Sequence, residues 1–213
     1  MIRLVRSFAV VSVAGLVFAS LALADVPSAD HSTVPSCITL VGSQAGVPDA
    51  VTGQFLVVVR TLVDAPKNGA SVVVDLSGCD DISICSNQLD PAATVNCAAK
   101  TVRKFTGIDG SVLFTVLGGS NGSGNATSLS GCARVYGNGT RLGSPTVAAL
   151  DLDGMNGVGL NDLSVWLTDF GTGTSYGRDD FDHSGTVGIN DLAAWLTQYG
   201  RGASTSSCVT ACP

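Results

Sequence analysis

The chain has 213 residues and a formal charge of −6, with 17 acidic side chains against 11 basic ones. All the acids are Asp, and only three lysines occur. That balance excludes the basic footprint that nucleic acid or anionic lipid requires, and the length allows one or two domains.

Residues 1–24 read as a secretory signal peptide. Arg3 and Arg6 precede an apolar run over 8–23 interrupted by Ser12, Gly15 and Ser20, and Ala22-Leu23-Ala24 supplies small residues for cleavage. The run is short for a membrane span, no second one occurs, and no cysteine stands directly after the cleavage point. The expected mature protein is therefore secreted, extracellular or at the cell surface, with no membrane insertion. Losing the two arginines takes its charge from −6 to −8. Residues 25–36 are polar and contain proline, which predicts a flexible lead.

From 37 to 150 the texture is β. Strands are expected over 38–41, 55–60, 72–76, 94–105, 112–116, 127–136 and 146–150. Turn residues punctuate them at Pro66–Gly69, Asp109-Gly110, Asn121-Gly122 and Asn138-Gly139. Short strands with such breaks predict a β-sandwich. The run 60–64, then Pro66 and Gly69-Ala70-Ser71-Val72, and later Thr106–Gly110 leading into 112–116, resembles bacterial invasin-type Ig-like domains. The resemblance implies an Ig-like β-sandwich over 37–150, and a fold alone does not set a function. Asn121, Asn125 and Asn138 match the glycosylation pattern and are read as plain turn residues.

Seven cysteines lie beyond the leader: Cys37, Cys79, Cys85, Cys97, Cys132, Cys208 and Cys212. Export makes disulfides the default. Cys79 and Cys85 bracket a short loop and are the first pair expected. Cys208 and Cys212 can close the tail over 202–213, or one can reach back to Cys37 or Cys97. The odd count leaves one thiol free or paired between molecules.

Residues 151–171 and 180–200 form a duplicate with a period of 29: DLDGMNGVGLNDLSVWLTDFG and DFDHSGTVGINDLAAWLTQYG. In the second unit Asp180, Asp182, Ser184 and Asp191 fall at positions one, three, five and twelve of a loop, with Gly185 at six and the Thr186 carbonyl at seven. That order converges hard oxygens on a calcium ion. The first unit keeps Asp151, Asp153 and Asp162 but has Met155 at five, a poor calcium ligand, and Asn156 at six. Two calcium sites are expected, the first weaker. Eight of the aspartates lie between 151 and 191 with Arg178 as the one Lys or Arg among them, so a bound cation would relieve their repulsion. Leu163, Trp166, Leu167 and Phe170, repeated as Leu192, Trp195, Leu196 and Tyr199, have helical spacing. The two stripes are expected to pack on each other, with Gly171 and Gly200 as stops.

This loop–helix duplicate, over about 149–201, resembles the type I dockerin domain. The resemblance implies a two-helix module over 151–201 that binds two calcium ions and docks onto a cohesin-like protein. It places ligands at Asp180, Asp182, Ser184, Thr186 and Asp191, and at Asp151, Asp153, Gly157 and Asp162. The positions that meet cohesin, often Ser-Thr in that family, are Leu160-Asn161 and Ile189-Asn190 here.

No catalytic constellation is expected. His31 lies in the lead and His183 inside a loop, neither placed to orient a serine, HExxH does not occur, and Asp80-Asp81 falls between Cys79 and Cys85, where a solvated surface loop is expected. The expectation is a non-catalytic, exported calcium-binding protein, an Ig-like β-sandwich followed by a two-helix dockerin-like module, that mediates attachment to a protein partner. Two further readings are a calcium-rigidified, self-assembling subunit of a surface fibre or matrix, and an accessory component of polysaccharide degradation that binds carbohydrate. The β part is poor in aromatics, which ranks the last reading third.

Overall fold

The computed structural model describes residues 25–121, 131–155, 157–172, 177–200, 208 and 211–212. The expected signal peptide, Asn125, Asn156 and most of the 202–213 tail lie outside the described residues. In chain order the strands are β1 (Cys37–Leu40), β2 (Ser43–Gln44), β3 (Val47–Pro48), β4 (Gln54–Val58), β5 (Ser71–Asp75), β6 (Ile82–Cys85), β7 (Thr94–Asn96), β8 (Thr101–Phe105), β9 (Ser111–Thr115), β10 (Gly118–Ser120), β11 (Arg134–Gly137), β12 (Thr140–Gly143), β13 (Thr146–Ala149) and β14 (Ala211–Cys212). The helices are α1 (Ala50–Gly53), α2 (Leu160–Thr172) and α3 (Ile189–Gly200), with a 3-10 turn at Gly177–Asp179.

Alternation decides the inner faces. Val72 and Val74 of β5, Val102 of β8 and Val135 of β11 point into the core, while Ser71, Val73 and Asp75 point away. The resulting five-stranded antiparallel sheet runs β12-β11-β5-β8-β7. Around it lie smaller pieces: β4 with β9, β2 with β3, β10-β6-β14, and a parallel pair of β1 with β13. The expected strand over 94–105 is a hairpin, β7 and β8, turned at Lys100 with φ 50°.

β13 divides the interior. Successive side chains of a strand face opposite ways, so Val147 and Ala149 enter the main core with Ile38, Val57, Val72 and Phe114. Ala148 and Leu150 enter a second cluster with Val41, Leu117, Leu152, Val158, Trp166, Phe181 and Trp195. The second cluster thus joins strand residues to both helices.

This corrects the expected architecture of an Ig-like sandwich followed by a two-helix dockerin-like module. Among the described residues the strands divide among one large and several small sheets, and three short helices accompany them. The physical reason lies in the helices. The buried residues of α2 are Asp162, Trp166 and Asp169; those of α3 are Asp191, Trp195 and Gln198. Each helix fully buries one large apolar side chain, too little for a two-helix core, and the strands supply the rest. Leu167, Phe170, Leu196 and Tyr199, expected inside the helix pair, are exposed.

The disulfides correct a second expectation. They join Cys79 to Cys132, Cys85 to Cys208 and Cys97 to Cys212, and Cys37 is free. Cys79 and Cys85 therefore do not pair, and the segment between them is not a solvated loop: Asp81 is buried, and Ile82 and Ile84 of β6 reach the main core. The tail strand β14 adds antiparallel to β6, matching Ala211 to Cys85 and Cys212 to Ile84. Three disulfides fit an oxidising, extracellular environment, and no helix among the described residues is long and apolar enough to cross a membrane.

Candidate metal centre

The first loop leaves β13 with its backbone anchored on both sides. Leu150 and Leu152 plug into the second cluster, and Ser120 N–H donates to the Asp151 carbonyl at 2.7 Å. The Asp151 carboxylate is consequently drawn inside, with 4% of the residue exposed. Gly154 (φ 71°) turns the chain in a left-handed conformation that a side chain would strain. Asp153 Oδ1 accepts from Met155 N–H at 2.8 Å, a short Asx turn.

Asp162 closes this loop. Its Oδ1 accepts from the N–H groups of Leu152 and Asp153, at 2.6 and 3.0 Å, and its Oδ2 accepts from Gly159 N–H at 2.6 Å. Gly159 in turn receives the Leu163 N–H at its carbonyl. Asp162 therefore acts as the returning acid of a capping box, and its charge sits at the positive end of α2. Asp191 repeats the device, accepting from Asp182 N–H at 3.0 Å and Gly188 N–H at 2.7 Å. One Asp per unit both starts the helix and ties down the loop, which accounts for the repeated Gly-Leu/Ile-Asn-Asp-Leu core.

In the second loop Asp180 accepts from the N–H groups of Ser184 and Gly185, at 2.9 and 2.8 Å. Gly185 has φ 86°, the turn expected of position six. Ser184 Oγ lies 3.2 Å from both the carbonyl and the hydroxyl of Thr186, so these two expected ligands engage each other. His183 joins the loop to β1 through Nε2 and Thr39 Oγ1, 3.1 Å apart. Gly157 is buried at φ 72°.

The geometry brings together Asp151, Asp153 and Asp162, and separately Asp180, Asp182 and Asp191. Each group presents carboxylate oxygens within 4.8 Å of one another, and each can hold a metal ion. Two full charges at that separation repel by about 3 kcal/mol at an effective dielectric near 20. Burial, then Asp162 and Asp153, push the Asp151 carboxyl up to about 7. Burial likewise raises Asp162, and burial with Asp191 nearby raises Asp180. The exposed Asp182 goes the other way, lowered by its hydrogen bonds with Ser184. Asp151 Oδ1 is buried with no hydrogen-bond partner among the described residues.

Arg178 is buried, pairs with Asp169 Oδ2 at 2.7 Å and lies 3.7 Å from Asp179 Oδ2. Burial and the neighbouring Asp169 hold Asp179 up at about 9. Sequence reasoning missed this ion cluster, the capping role of Asp162 and Asp191, and Gly119. A Cβ added at Gly119 would lie 2.8 Å from the Asp151 carbonyl oxygen and 3.1 Å from its Cβ, so the glycine makes room for the first loop. The capping role had a local signal, a Gly three residues before each Asp, and Arg178 lies only nine residues from Asp169; the room that Gly119 makes for Asp151 depends on a distant contact.

No protein-family model matches the chain, and no curated protein or solved structure matches it either.

Proposed function

We propose that this is an exported, non-catalytic attachment protein stabilised by two calcium ions. The observation that carries the reading is the unpaired, buried Oδ1 of Asp151 within a triad that recurs 29 residues later. The donors are all oxygen, without His or Cys, which suits a hard cation such as calcium rather than zinc. Asp151, Asp153 and Asp162 would hold one ion; Asp180, Asp182 and Asp191 the other, with Ser184 and the Thr186 carbonyl completing it. Calcium supplies compensating charge there, and binding to the folded state alone stabilises it. The leader and the disulfides support export.

Attachment is supported by a second duplicate. Leu160, Leu167 and Phe170 are exposed on α2, and Ile189, Leu196 and Tyr199 are exposed at the equivalent places on α3. Paired apolar stripes of this kind mark protein-binding surfaces. The reading is tested by calcium calorimetry on the disulfide-bonded protein, beside Asp151→Ala/Asp153→Ala and Asp180→Ala/Asp182→Ala. Two binding events are expected, each lost with its own pair. No calcium-dependent heat in the unaltered protein would overturn it.

A further inference from the structure

The basic side chains of this acidic chain are unevenly engaged. Lys67 pairs with Asp25, Lys104 with Asp90, Arg60 with Asp64 and Arg178 with Asp169. Lys100 donates to the carbonyls of Cys79 and Ile82. Three arginines remain without a carboxylate partner among the described residues: Arg103, Arg134 and Arg141. All three belong to the five-stranded sheet, and all are exposed.

Strand register places them on one face. A continuous row crosses the sheet as Arg141, Tyr136, Val73, Arg103 and Thr94. The adjacent row is Arg134, Asp75, Thr101 and Asn96. Their inward neighbours Val72, Val74, Val102, Val135 and Leu142 are buried, so the rows form the outer face. Arg141 and Arg103 stand three strand spacings apart, about 14 Å, and Arg134 lies two residues from Tyr136, about 7 Å along β11. Arg103 carries its guanidinium 5.4 Å from the ring centroid of the exposed Phe105. Arg141 donates to Ser144 Oγ at 3.0 Å. Asp75 is the one carboxylate in the two rows, and it accepts from Ser77 N–H. At the β7 end the face dips into a concavity of about 520 Å³ lined by Thr94, Asn96, Thr101 and Arg103 among others.

We propose that this face binds a linear acidic polysaccharide. Guanidinium groups pair with carboxylates or sulfates in a planar, forked geometry. Tyr136 supplies a ring against which a sugar can lie, and the hydroxyl and amide groups of the concavity match sugar hydroxyls. The spacing favours a sparsely charged polymer. Nucleic acid places a charge about every 3.4 Å along each strand, and the net negative charge of the chain opposes so dense a partner. This site is independent of the metal triads and of the helix stripes.

The test is affinity gel electrophoresis of the disulfide-bonded protein in gels containing hyaluronan, chondroitin sulfate, neutral dextran or polyaspartate. Retardation by hyaluronan, chondroitin sulfate or both, with none by dextran, is expected. The two acidic gels separate a carboxylate requirement from a sulfate one. Arg103→Gln/Arg134→Gln/Arg141→Gln should weaken retardation about tenfold at unchanged melting temperature, since all three side chains are exposed. Asp180→Ala/Asp182→Ala should leave it intact. Failure of both acidic glycans to retard the protein, or unaltered retardation of the triple variant, overturns the proposal. Stronger retardation by polyaspartate overturns it in favour of an acidic protein segment.

Discussion

Trp166 and Trp195 hold the same place in the duplicated unit and both are buried, but their indoles are differently served. Trp195 Nε1 donates to the Leu150 carbonyl at 3.3 Å, whereas Trp166 Nε1 has no partner among the described residues. Substitution by Phe removes similar volume at both places, and at 195 it also strips a buried carbonyl of its donor. An unsatisfied buried polar group costs about 1–3 kcal/mol. Trp195→Phe should therefore be the more destabilising by about that amount, measured as a difference in denaturant midpoints. Equal midpoints would show that the Leu150 bond contributes nothing.

Stability without calcium should fall as pH rises. The Asp151 carboxyl sits at about 7 in the fold against roughly 4 in an unfolded chain. The folded state thus binds the proton more tightly, and its contribution is complete below about pH 4 and lost as pH rises through about 7. Thermal melts in EGTA should show a loss on the order of a few kcal/mol across that window. Asp151→Asn should make the loss shallower, leaving the shares of the other raised carboxyls, Asp162, Asp179 and Asp180, and calcium should reduce it. A calcium-free melting temperature that climbs from pH 4 to pH 7 would contradict the buried triad.

Gly119→Ala separates the two metal sites. The new methyl group would press on Asp151 from a distance tighter than side chains tolerate. Affinity at the first triad should drop at least about tenfold, the equivalent of about 1.4 kcal/mol, with the second triad unaffected. Calorimetry reads both at once; a parallel loss at both sites would indicate general unfolding.

Peptide mapping under non-reducing conditions should recover Cys79–Cys132, Cys85–Cys208 and Cys97–Cys212, with the thiol at Cys37. Burial raises the Cys37 thiol above its ordinary range, so alkylation at neutral pH should be slow until the protein is unfolded. Cys85→Ser/Cys208→Ser should cost about 2–5 kcal/mol. Recovery of a Cys79–Cys85 peptide would overturn this connectivity.

What the sequence revealed and what it hid divide along contact distance. The aspartates of each triad fall within twelve consecutive residues, so spacing alone located them. The Val-rich strands were legible from alternation, and the buried indoles from their place in a periodic helix. Hidden were contacts that close over long stretches: β13 pairing in parallel with β1, β14 adding to β6, and Arg178 reaching Ser120. The helix stripes misled because Leu167 and Phe170 have the period of a core face, while the face that turns inward carries Asp162 and Asp169. Those acids look like solvent residues until their backbone and arginine partners are in place.

The clasp of β14 on β6 sets an order of events during synthesis. Cys85 and Cys97 emerge more than a hundred residues before Cys208 and Cys212, their partners. Until Cys132 emerges to take Cys79, the nascent chain presents Cys79, Cys85 and Cys97 as neighbouring reduced thiols, free to cross-link in the wrong combination, and Cys85 and Cys97 stay so until the tail arrives. The shortest early combination, Cys79 with Cys85, would have to be undone before β6 could receive its last strand. Maturation should therefore depend on disulfide exchange, with a trapped, mispaired form accumulating where isomerase activity is withheld.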